Sequence, residues 1–299
     1  METKFAIGID IGGTSIKSAV VSREGKILYF FDKKTPDNFD AFSLYLDRII
    51  NLYKNRQNIS GIGIGIPGMI DFKSKNLVFL PHIKYLINKR IINQIENKYK
   101  LTCLMDNDAH CALSGLLFFK YKRTDKTIIL LTFGTGTGSA IAISGKLYSG
   151  NKFSVAGLGE MIIDTNGRLC TCGRRGCLNA YTGAIGIKRI ILNNLNQNIS
   201  TKQLIGLIKT KDIRIKPIVE EISYHLGIGL ANIENIFKPD EIIFTGKNSV
   251  LWKHLKKMAL ATFLDNQFGN KKHISTQIKI SPFGVKTGVL GAASLVLSH

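Results

Sequence analysis

The sequence predicts a two-domain α/β fold built on a duplicated strand, turn and strand, and three observations carry that reading. The first is Thr127 to Ala140, TIILLTFGTGTGSA, where the apolar and β-branched run Ile128 to Thr132 enters a turn in which Gly134, Gly136 and Gly138 alternate with Thr135 and Thr137. A second apolar run, AIAI at Ala140 to Ile143, leaves that turn. The second observation is an echo near the N-terminus, Phe5 to Val21, FAIGIDIGGTSIKSAVV, with strand, Gly-Gly-Thr turn and strand in the same order. The third is a succession of strand and helix patterns along 299 residues, a length that suits two α/β domains of ordinary size.

Glycines let backbone N–H groups approach a bound anion where a side chain would block it, and the threonines add hydroxyl donors. Each turn therefore reads as a phosphate cradle. An ordinary tight hairpin is the plain alternative for either turn taken alone. Two such turns facing each other across a cleft would grip one polyphosphate from both sides. Asp10, just before the first turn, is placed to orient a hydrated Mg²⁺. Neither turn is a Walker-type motif.

An apolar content of 44% with 29 glycines fits a folded enzyme and excludes a disordered chain. No stretch approaches the roughly 18 consecutive apolar residues of a membrane span. Met1 to Lys4 leads directly into the first strand and leaves no room for a signal peptide, so a cytoplasmic location and no membrane partner are expected. Five cysteines, three of them within Cys170 to Cys177, suit a metal site in a reducing compartment better than a disulfide framework. A formal charge of +20 ordinarily points toward nucleic acid. Here the Lys and Arg are scattered among frequent Asn and Ile, with no helix-turn-helix pattern and no basic tail. Nucleic acid is therefore not an expected partner, although a phosphate-attracting field is.

In order along the chain, Lys4 to Ile11, Ser15 to Val21 and Lys26 to Lys33 read as an antiparallel meander turning at Gly12-Gly13 and at Arg23-Glu24-Gly25. A helix over about Asp37 to Tyr53 carries Phe42, Leu46, Ile49, Ile50 and Tyr53 at helical spacing, which is core packing. GIGIGIPG, Gly61 to Gly68, is a strand whose glycine face lets something pack very closely, ended by Pro67-Gly68 in a turn that exposes backbone groups. A loop through Pro81 and a helix near Lys89 to Lys98 lead to the strand Leu101 to Met105. Asp106, Asn107 and Asp108 stand at its handover to a helix from Ala109 to about Lys120. One of the three caps that helix; capping is one complete account of the cluster. The other is a general base, because open α/β sheets bind ligands at the C-terminal ends of their strands.

The second half repeats the logic. After Thr127 to Tyr148 comes an irregular, Gly-rich region with the cysteines, then helices near Gly183 to Asn194 and Thr201 to Lys209. A long helix over about Pro217 to Phe237 carries Ile218, Ile222, Leu226, Leu230, Ile233 and Phe237 on one side and stops at Lys238-Pro239. The strand Glu241 to Gly246, a helix near Ser249 to Asp265, the strand Gln277 to Ser281 and a small-residue helix, Thr287 to Leu297, follow. Cys170, Cys172 and Cys177 form C-x-C-G-x-x-G-C, in which Gly173 and Gly176 permit a tight loop and three thiolates make a zinc knuckle.

DIGGTSIKSAVV, GIGIGIPG, DNDA, TFGTGTG and CTCGRRGC, in this order and spread over essentially the whole chain, resemble the ROK family of bacterial sugar kinases and repressors. The resemblance implies an actin-like (ribonuclease H-like) sugar-kinase fold, α/β, with two domains whose duplicated core surrounds an interdomain cleft. Residues 1–118 with 288–299 would form the N-terminal domain and 119–287 the C-terminal one. It implies an ATP-dependent kinase that phosphorylates a hexose or hexosamine at the 6-hydroxyl, glucokinase-like. N-acetylmannosamine or another amino sugar is the alternative substrate, and a divergent sugar-binding protein with low kinase activity the alternative function. Repressors of the family carry a DNA-binding segment ahead of the first phosphate loop, and only nine residues precede Asp10, so a repressor is not expected.

By the same resemblance Asp108 is the catalytic base, and Gly68 and Asn107 hold sugar hydroxyls together with the positions of Gly157, Glu160 and Asn179. Asp10, Gly12, Gly13, Thr14, Lys17, Gly134, Thr135, Gly136 and Gly246 serve ATP and its Mg²⁺, and a homodimer is the expected assembly. Three positions depart from the family. AGLGEM has Glu160 where the family's zinc-binding His stands and Gly157 where a sugar-binding Glu stands, while Asn179 replaces a second Glu. One structural Zn²⁺ is expected on Cys170, Cys172 and Cys177, with Glu160 or water as fourth ligand.

Overall fold

The computed structural model describes residues 4–55, 58–71, 74, 76–80, 83–151, 157–269 and 274–299. The chain divides into two compact units. One comprises Met1–Asp125, Ala140–Ala156 and Val285–His299; the other comprises Lys126–Ser139 and Gly157–Gly284.

In the first unit β1 (Phe5–Ile11), β2 (Ser15–Ser22), β3 (Ile27–Lys34), β4 (Ile59–Ile66) and β7 (Cys103–Asn107) form a sheet of order β3-β2-β1-β4-β7. The meander is antiparallel, whereas β4 and β7 run parallel to β1. Register settles what each face does. Ile7 pairs with Ile62 and Ile9 with Ile64, so the isoleucines share one face; Gly8 pairs with Gly63 and Asp10 with Gly65 on the other. The isoleucine face is fully buried with Phe42, Leu46, Ile50 and Tyr53 of α1 (Phe39–Lys54) and Ile91, Ile92 and Ile95 of α2 (Ile91–Tyr99). Asn38 caps α1 by accepting the Ala41 N–H at 2.9 Å.

The glycine face receives the last helix, α9 (Thr287–Leu297), and beside it α3 (Asp108–Gly115). Backbones meet there. A Cβ added to Gly63 would stand 1.7 Å from the Ala292 carbonyl oxygen, one on Gly8 2.1 Å from that of Val289, and one on Gly291 2.0 Å from that of Cys111. Alternation of Gly with Ile in β4 is thus a two-sided device: large residues build one core and absent ones seat a helix. Two features lie outside the sequence expectations. A small hairpin, β5 (Met69–Asp71) with β6 (Asn76–Phe79), occupies the stretch read as loop, and the last turns after α3, Leu116–Tyr121, widen into π-helix.

The second sheet has the order β10-β9-β8-β11-β12, from β8 (Ile128–Phe133), β9 (Thr137–Ile143), β10 (Lys146–Leu147), β11 (Glu241–Thr245) and β12 (Gln277–Ile280). It repeats the first sheet's order of visits, and β8, β11 and β12 are parallel. Helices α4 (Asn179–Thr182), α5 (Ala184–Leu195), α6 (Thr201–Lys209), α7 (Lys216–Phe237) and α8 (Trp252–Asn266) belong to the second unit. On α7, Ile218, Ile222, Leu226, Leu230 and Ile233 are buried, Phe237 is half-buried, and Lys238 closes the helix in the left-handed region (φ 42°) before Pro239. Among the described residues no helix is long and apolar enough to cross a membrane.

Candidate active site

The first Gly-Thr turn, expected from the sequence to cradle phosphate, is closed by the Gly12 N–H donating to the Ser15 carbonyl at 2.9 Å. Thr35, at the end of β3, braces it twice: its hydroxyl donates to the Gly12 carbonyl (2.6 Å) and its N–H to the Thr14 carbonyl (3.1 Å). Carbonyl oxygens that would repel an anion are thereby tied back within the unit. On the paired strands Asp10 lies opposite Lys17, and Lys17 Nζ is 3.4 Å from Asp10 Oδ2, with side-chain exposures of 13% and 17%. Burial raises the Asp10 carboxyl, and the Lys17 charge opposes that shift. Gly288, in the first turn of α9, makes room for this carboxylate: a Cβ there would be 2.3 Å from Asp10 Oδ2.

Asp108 opens α3 at the C-terminal end of β7, on the glycine face that also carries Asp10. Gly65 of β4 lies beneath it, its ideal Cβ position 3.6 Å from the Asp108 Cα. Burial pushes the Asp108 carboxyl up to about 6, with the Asp10 charge adding to it; the Ala109 N–H, 2.9 Å from Asp108 Oδ1, pulls the other way. Asn107 is the cap: its Oδ1 accepts from the Ala109 and His110 N–H groups while its Nδ2 donates to the Gly68 carbonyl at 3.0 Å. Gly68 has φ 118°, a region glycine reaches without strain, and a Cβ there would meet the Phe79 carbonyl at 2.0 Å. Asn107, Asp108 and Gly68 are thus one constellation, and Asp10 shares their unit. Behind it His110 is fully buried, both ring nitrogens without a hydrogen-bond partner among the described residues, its Nδ1 3.7 Å from Asp106 Oδ2.

The second unit holds the other Gly-Thr turn. Gly134 donates its N–H to the Gly136 carbonyl (2.9 Å), while the Ala184 and Ile185 N–H groups of the first turn of α5 donate to the carbonyls of Gly134 (3.1 Å) and Thr135 (3.3 Å). Here too the oxygens are tied back. The Thr137 hydroxyl, read as a ligand donor, is buried and 2.8 Å from that of Thr182. Gly246 follows β11 with φ 90°, and a Cβ on it would be 2.5 Å from the Phe133 carbonyl, so it packs on the strand end that enters the turn.

Gly157 and Glu160 flank a single 3-10 turn, Leu158–Glu160, with the Glu160 Oε2 3.8 Å from the Gly157 Cβ position. Burial raises the Glu160 carboxyl against its own backbone N–H and Arg174. The Sγ atoms of Cys170, Cys172 and Cys177 all lie within 4.8 Å of one another, Cys172 and Cys177 at 3.5 Å; among the described residues the Glu160 carboxylate is not part of that cluster. Asn179 is buried beside it, with Oδ1 on the Thr137 N–H (2.9 Å) and Nδ2 toward Cys170 Sγ (3.7 Å). The bracing residues Thr35 and Thr182 have no signal in the sequence, since each acts on backbone or on a side chain that only the fold brings near.

The ROK family model matches residues 6–299, and the chain belongs to the ROK family. The glucokinase of Halalkalibacterium halodurans is 25% identical over 327 residues, covering 99% of this chain and 96% of that protein. The xylose repressor of Bacillus subtilis (strain 168) is 28% identical over 306 residues, covering 99% of this chain and 77% of that protein. Among solved structures, the ROK family glucokinase from Streptomyces griseus in complex with glucose and AMPPNP superposes with a TM-score of 0.87 at 26% identity, covering 99% of this chain and 100% of that one. The fold is the actin-like sugar-kinase fold, with mixed α/β sheets in two domains.

Proposed function

We propose that the chain is an ATP-dependent sugar kinase that phosphorylates the 6-hydroxyl of a hexose or hexosamine, glucokinase-like, with Asp108 as general base. The observation that carries this reading is the Asp108 carboxyl, raised to about 6 at the start of α3 on the same sheet face as Asp10. Such a group is ionised at neutral pH yet a better proton acceptor than an ordinary carboxylate. Phosphoryl transfer needs chiefly alignment and charge neutralisation, and the hydroxyl proton leaves late, so a carboxylate suffices. Asn107 and Gly68, locked to each other, support the sugar beside Asp108. Gly12, Gly13, Thr14, Lys17, Gly134, Thr135, Gly136 and Gly246 would serve the nucleotide, their turns' carbonyls being turned away. Asp10 would orient Mg²⁺, whose charge neutralises the transferring phosphate when bound.

The three thiols fit three corners of a structural zinc tetrahedron, with water rather than Glu160 as the fourth donor. No catalytic step passes through that site. A second reading, a sugar-binding protein with little turnover, is favoured by the xylose repressor's 28% identity and by the departures at Gly157, Glu160 and Asn179. The deciding experiment measures coupled ADP release over a panel of hexoses and hexosamines. Turnover with any member, abolished by Asp108→Asn, supports the kinase; thermal stabilisation by a sugar with no ADP release from the wild-type chain sinks it in favour of the second reading.

A further inference from the structure

Asn179 stands where the family resemblance puts a sugar contact, yet it is only 9% exposed and both ends of its amide are engaged inside the second unit. Its Oδ1 accepts the Thr137 N–H at 2.9 Å, at the point where the phosphate turn enters β9. Its Nδ2 points to Cys170 Sγ at 3.7 Å. Two glycines leave the amide its space: a Cβ on Gly183 would be 2.4 Å from Asn179 Oδ1, and one on Gly136 3.1 Å from it. Three residues on, Thr182 donates to the Leu178 carbonyl and meets the Thr137 hydroxyl. One short helix thus grips Thr137 by its backbone and by its side chain.

We propose that Asn179 is a positioning residue of the nucleotide half, clamping the Gly134–Thr137 turn to the cysteine loop, and that it does not hold the sugar. This rests on the kinase reading for the identity of the ligand. The physical reason is the cost of a buried, unsatisfied N–H. Without the Asn179 oxygen the Thr137 amide loses its partner, and a turn whose ligand donors are backbone groups loses the geometry that presents them. A side-chain truncation should therefore loosen the turn and weaken nucleotide binding without touching sugar binding.

The test uses the full chain and three variants, Asn179→Ala, Asn179→Ser and Asn179→Asp, with circular dichroism to establish folding; the serine variant stands in if the alanine one does not fold. Hydrogen exchange of the peptide spanning Thr137 is read first, then calorimetric titration with AMPPNP and separately with glucose. For Asn179→Ala the expected result is exchange about tenfold or more faster and AMPPNP binding about tenfold weaker, the effect of one lost buried hydrogen bond. Glucose affinity stays at the wild-type value. Asn179→Asp keeps an acceptor oxygen in place and retains slow exchange. Unchanged exchange in the alanine and serine variants overturns the clamp. So does a loss of glucose affinity with AMPPNP affinity intact, which returns Asn179 to the sugar. A wild-type chain that binds no AMPPNP sinks the kinase reading instead, and the exchange measurement still decides the clamp.

Discussion

Asp108 concentrates the conflict between stability and chemistry in one carboxyl. Its value is raised to about 6 by burial and by Asp10, so the folded protein disfavours its ionised form. Activity requires that form: kcat/KM should rise with pH through about 6 and level off above it, and a profile flat between pH 5 and 7 would remove Asp108 from the role. The stability sign is opposite. Above the folded value Asp108 is ionised in both states and burdens the native one; below the ordinary carboxylate range it is neutral in both and the burden is gone. Asp108→Asn should therefore cost about 10²- to 10⁴-fold in kcat while raising the melting temperature at pH 8, and the gain should fade toward pH 4. The place of Asp108 was legible in the sequence, because a carboxylate at a strand's C-terminal end precedes a helix there, and so was its candidacy as a base. That one of Asp106, Asn107 and Asp108 caps the helix was legible for the same reason; that it is Asn107 was not. Thr35 was not, because it braces Gly12 from 23 positions further along the chain.

Among the elements, β4 shows how much a residue pattern can announce. Its Gly-Ile alternation foretold a close approach, and α9 makes that approach, with the Ala292 carbonyl 1.7 Å from the Gly63 Cβ position. Gly63→Ala forces strand and helix apart and should cost at least about 3 kcal/mol, seen as a lowered urea midpoint. Gly206 is the contrast: it lies exposed within α6, nothing comes within 4 Å of its Cβ position, and Gly206→Ala should stabilise by about 0.5–1 kcal/mol. If both changes behave alike, close approach is not what selects glycine in β4. The widened turns at Leu116–Tyr121 and the β5-β6 hairpin escaped the sequence because six residues are too few to show a change of period and the hairpin strands are only three and four residues long.

The cysteine loop was legible as a thiolate site from its spacing, but not the scaffold that holds it. Arg168 pairs with Glu221 of α7 through two hydrogen bonds, and the Tyr181 and His225 rings stack at 3.5 Å between centroids. That anchorage uses no thiol. Protein purified without chelator should contain about one zinc per chain, falling on Cys172→Ser, and chelation should lower the melting temperature without unfolding the second unit. Metal-free protein whose melting temperature ignores chelation would mean that the anchorage alone holds the loop.

For the molecule as a whole, the duplication was readable because both copies carry strand, Gly-Thr turn and strand, whereas the strand order of the sheets was not; the return of the last helix was readable from its small residues and from the family resemblance. The first unit is assembled from three separated segments, the last of them Val285–His299. Within that segment Val289, Leu290, Ala292, Ala293 and Leu297 are at most 3% exposed, packed on β1, β4 and α3. Removing residues 288–299 therefore uncovers Gly8 and Gly63 with their neighbours, exposes the backbone they leave unprotected, and also strips the helix against which Asp10 is buried. The truncated chain should express as insoluble protein, or as soluble protein with no cooperative urea transition, because β1, β4 and α3 together lose the buried helix packed on them, and the ladder and the isoleucine core on the other face must then hold the sheet alone. A soluble truncated chain with a single transition at the wild-type midpoint would show that the sheet closes without α9, and the packing argument for the glycines of β1 and β4 would fall with it.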